Sequence, residues 1–377
     1  MARKSRRTAS GSRGVTLVTG LPQFTTRRLV AELAGADPAA RLALLVPERA
    51  MPAAQRLVAS LPGDPDRFQV LEGDVRKMDL GLSGPELNAL AREVRIIHHM
   101  ASVFHLGVDR SVAEDVNVGG TMEVLELARI AGGLERLVYY STVGVSGDYR
   151  GVWTEDDLDR GQRFANHYEE TKLRMEKLLR GVPGLPLTVI RSPVIVGDSA
   201  TGEIDRFDGP YQLMLLFIAL PVDLGLPLPG RASRYINLVP VDHFARAARV
   251  LSSHPDATGH TYHVVDPDPL TMARVFELVA TASEKKVPRG YIPAPLTRAV
   301  MRTPGLERFA DSPVAALDLF TADVVYASSG AQALLREAGV RCPRFPDYVD
   351  NLVAFLRQKI KKETGGRGEE EVYDPLW

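Results

Sequence analysis

The sequence has little of several things, and each shortage excludes something. A single cysteine, Cys342, serves 377 residues. No internal disulfide and no thiolate metal site can be built from it. Charge of one sign is also missing: 46 Lys and Arg stand against 47 Asp and Glu, a formal net charge of −1. That balance gives no global field to attract nucleic acid or an anionic membrane. No apolar run reaches the roughly 18 residues needed to span a bilayer. The longest, around Leu213–Leu220, stops at Pro221. The basic opening MARKSRRTASGSRG is followed by no apolar stretch, so a secretory signal is not expected and a cytoplasmic location is. There is no internal repeat and no low-complexity block.

What remains is an ordinary enzyme-like composition, 45% hydrophobic and 25% charged, long enough to bury a sizeable core. Residues 1–14 read as a disordered basic arm, with contact to an acidic partner or an anionic headgroup as the alternative. Residues 361–377 read as a disordered tail. Between them, short apolar runs alternate with amphipathic stretches. The runs are Val15–Thr19, Leu42–Val46, Phe68–Leu71, Val94–Ile97, Leu137–Tyr140 and Leu187–Ile190. They are continuous rather than alternating in polarity, as strands covered on both faces require. The fold class is therefore α/β, a Rossmann-type doubly wound parallel sheet with a smaller, mostly helical substrate lobe. Residues 15–197 plus 235–266 are assigned to the dinucleotide-binding domain, and 198–234 plus 267–360 to the lobe.

The first strand leads into Thr19-Gly-Leu-Pro-Gln-Phe-Thr-Thr26. A dinucleotide turn expects T-G-x-x-G-x-x-G, because glycine lets the backbone approach the pyrophosphate. Gly20 is in place, but Gln23 and Thr26 occupy the other two glycine positions. The helix N-terminus still offers free N–H groups and a positive dipole end. Thr19, Gly20, Pro22, Gln23 and Phe24 are the expected contacts of this turn. After the second strand, Arg49 and Arg56 favour a 2′-phosphate and hence NADP, whereas Glu48 favours NAD, which stays open. Gly73-Asp74-Val75 places Asp74 and Val75 near an adenine site, although Asp74 could equally cap a turn. The fourth strand ends in His98-His99-Met100-Ala101-Ser102. Neighbours on a strand face opposite ways and no third ligand is at hand, so no metal is expected. Met100 and Ala101 are placed beside the nicotinamide ribose.

Tyr168-Glu-Glu-Thr-Lys172 puts a phenol and an amine on one helix face. The pair opens the helix after the fifth strand, which ends in Ser141-Thr142. A free tyrosine has a pKa of about 10. A nearby ammonium, with an oxidised nicotinamide, is expected to favour the phenolate. Tyr168 would then exchange a proton with a carbonyl oxygen as hydride arrives at carbon. Thr142 would hold that oxygen, and Lys172 would also hold the ribose hydroxyls. The alternative is a strand-end hydroxyl and an ordinary surface pair.

These residues resemble extended short-chain dehydrogenases/reductases over about Val15 to Phe355. Ser141-Thr142 and Tyr168-x-x-x-Lys172 look like the active-site set. His99-Met100-Ala101 resembles the N-A-A loop, with His and Met as departures. Asn117-Val-Gly-Gly-Thr121 resembles an N-x-x-G-T helix segment, in which the Asn is structural or part of a proton relay. Arg191-Ser-Pro-Val-Ile-Val-Gly-Asp-Ser-Ala-Thr-Gly202, with Phe207-Asp-Gly-Pro-Tyr211 and Val239-Pro-Val-Asp242, resembles the fatty acyl-CoA reductase and thioester-reductase branch of male-sterility type. The resemblance implies NADPH-driven reduction of an acyl thioester, or of a carbonyl on a lipid-like substrate, with Ser192 and Pro193 beside the nicotinamide. Thr142 is followed by Val143-Gly144 rather than an acidic pair, which argues against a sugar-nucleotide dehydratase. The apolar segment Tyr211–Leu228 is the expected substrate wall. Two other readings stay open: an epimerase or 3-hydroxysteroid-type dehydrogenase, and a non-catalytic protein whose cofactor loop has degenerated. The expected partner is a small molecule, and a homodimer is allowed.

Overall fold

A computed structural model describes residues 14–104, 107–206, 211, 228–229, 234–287, 290–292 and 323–365. The basic arm up to residue 13 and the tail from 366 lie outside the described residues, as does most of the segment Tyr211–Leu228.

Strands β1 (Val15–Thr19), β2 (Arg41–Val46), β3 (Phe68–Glu72), β4 (Val94–His99) and β5 (Arg136–Thr142) alternate with helices. These are α1 (Phe24–Ala36), α2 (Met51–Ser60), α3 (Gly84–Glu93), α4 (Arg110–Ala113) and α5 (Gly120–Ile130). β6 (Arg150–Trp153), α6 (His167–Arg180), β7 (Leu187–Ser192) and β8 (Val194–Val196) follow. Next come β9 (Leu228–Pro229), β10 (Tyr235–Ile236), β11 (Leu238–Pro240), α7 (Val241–Ser253) and β12 (Thr261–His263). Seven strands form one sheet in the order β12-β7-β5-β4-β1-β2-β3, and every pairing in it is parallel. The order reverses between β1 and β4, so the ligand crevice of such a sheet opens above the carboxyl ends of those two strands.

The apolar runs fold this way because they are covered on both faces. All seven residues of β5 are buried, as are Leu17 and Val18 of β1 and five residues of β2. Each fully buried Leu or Ile contributes about 1.5–3 kcal/mol. Helix ends are fixed by polar chemistry. Glu86 accepts from the Ser83 N–H at 2.9 Å, capping α3. Arg136, entering β5, donates to the carbonyls of Ser252 (2.5 Å) and His254 (2.7 Å), the exposed negative end of α7.

The C-terminal part adds β13 (Leu270–Thr271), α8 (Met272–Ala282), β14 (Tyr291–Ile292), β15 (Asp323–Tyr326), α9 (Ser329–Glu337) and α10 (Phe345–Gly365). α8 and α10 share a core with Ile236 and Leu238. α9 packs elsewhere: Ala331 and Leu335 bury beside Phe244 and Leu251 of α7. β15 pairs with β6. Helix α10 continues through Lys361 to Gly365, five residues into the stretch read from sequence as a tail. β14 pairs with β9. Among the described residues no helix is long and apolar enough to cross a membrane.

Candidate active site

The floor of the crevice is a chain of hydrogen bonds whose direction can be worked out. Thr19 ends β1, and its buried hydroxyl oxygen accepts from the Ala101 N–H at 3.2 Å. That hydroxyl lies 3.0 Å from Nδ1 of His99, and Nε2 of His99 lies 3.0 Å from the Thr121 hydroxyl. Thr121 donates its own proton to the Asn117 carbonyl at 2.6 Å. Nε2 of His99 must therefore carry the proton, and Nδ1 accepts from Thr19. Burial, with the charge of Lys172 adding to it, pulls His99 down to about 3, so the ring is neutral. His98 faces the other way, with Nδ1 2.8 Å from the Tyr140 hydroxyl, and burial takes it to about 3 as well. The two histidines serve opposite faces of the sheet. Among the described residues no group of three or more His, Cys, Asp or Glu is placed to hold a metal.

Above this floor lies the turn from β1 to α1. Gly20 has φ of +100°, and a Cβ there would stand 2.7 Å from the Ala101 nitrogen. The backbone can pass so close to the end of β4 only because the residue is glycine. The first helical bond of α1 runs from Arg27 N–H to the Gln23 carbonyl at 2.9 Å. The N–H groups of Phe24, Thr25 and Thr26 thus have no carbonyl behind them in the helix. Three such donors at a positive dipole end fit the pyrophosphate of a dinucleotide. Thr26, at the third glycine position, is fully buried, and its hydroxyl has no hydrogen-bond partner among the described residues. Gln23, at the second, donates through Nε2 to the Ser102 carbonyl at 2.7 Å. Pro22 is half-buried and Phe24 buried; the Arg27 guanidinium lies 5.3 Å from the Phe24 ring centre.

At the adenosine end, Asp74 accepts from Nε of Arg76 at 3.0 Å and from Nη2 at 2.6 Å. Burial works against the Asp74 charge, yet these bonds to Arg76 hold its pKa below the ordinary value. Arg49 is exposed after β2; burial lowers its pKa, repulsion from Arg76 adds to this, and Asp74 opposes it. Arg56 lies exposed on α2. Val75 is buried, and a Cβ on Gly120 would stand 2.9 Å from its side chain. Met100 and Ala101 are both buried.

At the other end of the crevice, Thr142 closes β5 and pairs in register with Ser192 of β7. The Thr142 hydroxyl accepts from the Gly144 N–H at 3.1 Å and lies near enough to the Tyr168 phenol to oppose the rise of its pKa. Asn166 caps α6 by accepting from Glu169 N–H at 2.9 Å, which sets Tyr168 in the first turn. Lys172, one turn on, is buried and donates to the Tyr140 carbonyl at 2.7 Å; its nitrogen lies 4.9 Å from the Tyr139 ring centre. Ser192 and Pro193 are half-buried beside this edge.

One expectation is corrected here. In the cofactor-free chain the phenol of Tyr168 is not made acidic: burial raises its pKa, the nearby Thr142 hydroxyl lowers it only in part, and Glu169 adds to the rise. Lys172 is itself pulled down to about 7 by burial, with Glu176 opposing that shift. Much of the ammonium charge invoked from sequence is therefore absent at neutral pH. A protonated phenol is nonetheless the form a proton donor needs.

Arg76 and Glu176 escaped the sequence reading, and Asn117 was named in it only as structural or part of a proton relay. Arg76 carried one signal, its place two residues after Asp74 in a turn. Asn117 proves to be a hub. Its Oδ1 accepts from Ser102 Oγ (2.9 Å) and Val103 N–H (2.8 Å), and its Nδ2 donates to Val103 O (3.2 Å) and Thr171 Oγ1 (3.0 Å). Glu176, fully buried, accepts from Nη2 of Arg191 at 2.6 Å. Nothing in the linear pattern pairs that helix residue with that strand residue.

The fold is a doubly wound sheet of Rossmann type that carries Thr142, Tyr168 and Lys172 at its carboxyl edge. Within it, residues 18–248 match the model of the NAD-binding family described as male sterility protein, and the chain belongs to that family. It is 30% identical over 225 residues to a glycine betaine reductase of Emericella nidulans, covering 57% of this chain and 17% of that protein. It is 31% identical over 221 residues to a carboxylic acid reductase of Mycobacterium tuberculosis, covering 53% of this chain and 19% of that protein. The matching segment is thus less than a fifth of either relative. The fold is shared with the terminal R domain from the myxalamid PKS-NRPS biosynthetic pathway, at a TM-score of 0.78 and 23% identity over 93% of this chain and 92% of that one. It is shared too with a UDP-glucuronic acid 4-epimerase from Bacillus cereus in complex with NAD, at 0.67 and 16% identity over 92% and 99%.

Proposed function

We propose that this chain reduces an acyl thioester or carbonyl group of a lipid-like substrate with NADPH, Tyr168 giving the proton. The observation that carries the reading is the placement of the Tyr168 phenol near Thr142 at the carboxyl end of β5, with buried Lys172 one turn along. A bound nicotinamide would supply hydride to the carbonyl carbon. The residues present account for the rest. Burial keeps the Tyr168 phenol protonated and ready to donate. Thr142 orients it and leaves a hydroxyl for the substrate oxygen, a general-acid arrangement. Lys172 stands where it can hold ribose hydroxyls and compensate the phenolate left behind. Arg49, exposed after β2 and near enough to Arg76 to feel its charge, suits a 2′-phosphate and so favours NADPH over NADH. The two reductase names among the relatives support a carboxylate-level carbonyl as the substrate group.

The test is product analysis with acyl-CoAs, aldehydes and hydroxysteroids, each offered with NADPH and with NADH. Thioester-dependent NADPH oxidation yielding aldehyde or alcohol is the expected result. Tyr168→Phe should lower kcat by at least about a hundredfold while NADPH affinity stays within a few-fold of wild type. Full turnover in that variant, or turnover of hydroxysteroids alone, would overturn the reading.

A further inference from the structure

The second glycine position of the cofactor turn is occupied by a side chain with a definite partner. Gln23 is the N-cap residue of α1, on the loop leaving β1, and its own hydroxyl-free side chain makes no cap bond. Instead Nε2 reaches the carbonyl of Ser102, on the loop leaving β4, at 2.7 Å. β1 and β4 are the neighbours between which the strand order reverses. A bond from one of these loops to the other spans the mouth of the crevice in which a dinucleotide lies across such a sheet. The free α1 N–H groups of Phe24, Thr25 and Thr26 follow Gln23 directly in the chain. The Ser102 end is rigid. The Ser102 hydroxyl donates to Oδ1 of Asn117 at 2.9 Å, and the next residue, Val103, is held by both polar atoms of that side chain. The Gln23 end hangs on three rotatable bonds and is half-buried.

We infer that Gln23 is a latch on the pyrophosphate subsite, closed onto Ser102 in the free chain and swung aside when the cofactor enters. The inference rests on the dinucleotide reading above and adds to it a residue that sets cofactor affinity. A site that must open before it binds loses apparent affinity in proportion to the closed fraction. One neutral hydrogen bond weights that equilibrium about three- to tenfold. Glycine or alanine at position 23 keeps the helix backbone and removes the latch, since the N-cap has φ of −52° and ψ of 140°, open to any residue.

The experiment is a titration of the purified chain with NADPH, read by nicotinamide fluorescence, together with stopped-flow association, for wild type, Gln23→Gly, Gln23→Ala and Gln23→Asn. Asparagine keeps an amide that is too short to reach. All three variants should bind about three to ten times more tightly than wild type, with the gain in the association rate. Thermal melting of the cofactor-free variants checks that each is folded. Wild type binding as tightly as folded Gln23→Gly and Gln23→Ala, or more tightly, would overturn the latch and leave the cofactor reading intact. No NADPH binding by wild type or by any folded variant would overturn both.

Discussion

At Lys172 burial and function pull against each other. The amine is 3% exposed and bonded to the Tyr140 carbonyl, and desolvation takes it to about 7 while Glu176 resists. The ammonium is the form that can hold ribose hydroxyls and stabilise a phenolate, and it is lost as pH rises through that value. The free-enzyme profile, kcat/KM against pH, is therefore expected to fall above about pH 7. In Lys172→Met that limb should vanish and the remaining activity should be lower by about a hundredfold or more. An unchanged alkaline limb in the variant would assign it to another group. The identities of Thr142, Tyr168 and Lys172 are legible in the sequence because a four-residue spacing and a strand end are local features. Their protonation is not, because desolvation depends on what covers them. The rise of the Tyr168 pKa reverses the expectation drawn from the pair alone. Arg76 was passed over for a similar reason: only the folded turn brings it to Asp74 and Arg49.

Among the elements, the segment between β4 and β5 departs most from an ideal helix. Residues Glu114–Gly119 form a π-helical stretch between α4 and α5, a local widening often found at functional sites. It carries Asn117, whose side chain joins the loop after β4 to Thr171 of α6. Thr171 in turn donates toward the His167 and Tyr168 carbonyls at 2.7 and 2.9 Å. Asn117→Ala would leave the Val103 N–H buried without a partner and its carbonyl with only the Ser102 hydroxyl at 3.5 Å. Each such group costs about 1–3 kcal/mol, so a loss of about 2–4 kcal/mol in denaturant unfolding is expected, with weaker NADPH binding because the crevice loop is released. A loss below about 0.5 kcal/mol would show the hub to be dispensable. Apolar periodicity in the sequence cannot reveal such a widening. It also missed β6 and β15. β6 buries only Trp153 of its four residues, and its partner strand is far along the chain. Neither shows the continuous apolar run that reveals the central strands.

Over the whole molecule, the parallel sheet was legible because burial on both faces leaves an unbroken apolar signature, whereas the polar groups sealed beneath it leave none. His98, His99 and His263 are all buried, and desolvation takes each from 6.5 to about 3, with Arg136, Lys172 and Arg191 respectively adding to the shift. All three stay neutral in the fold. His263, on β12, lies 3.1 Å from Nη1 of Arg191 and 2.7 Å from the Ala327 carbonyl, so its neutral ring links the sheet to the C-terminal segment. Between about pH 6.5 and pH 3 the unfolded chain takes up protons at these sites that the folded chain refuses, so stability falls as pH falls. Each unit below 6.5 costs about 1.4 kcal/mol per histidine, or about 3–4 kcal/mol for the three by pH 5.5. Lys172 acts in a separate window: its lowered pKa makes the fold gain stability as pH rises from about 7 toward 10.5. Thermal melting of the cofactor-free protein should therefore drop by roughly 5 °C or more between pH 7.5 and pH 5.5. His243, buried and taken to about 4, adds to the same slope, so substituting His263 by Gln, which keeps a hydrogen-bonding side chain that does not titrate, should flatten it by about a quarter. A melting temperature that stays level down to pH 5.5 would mean that the imidazoles are open to water and that the sheet is not sealed over them.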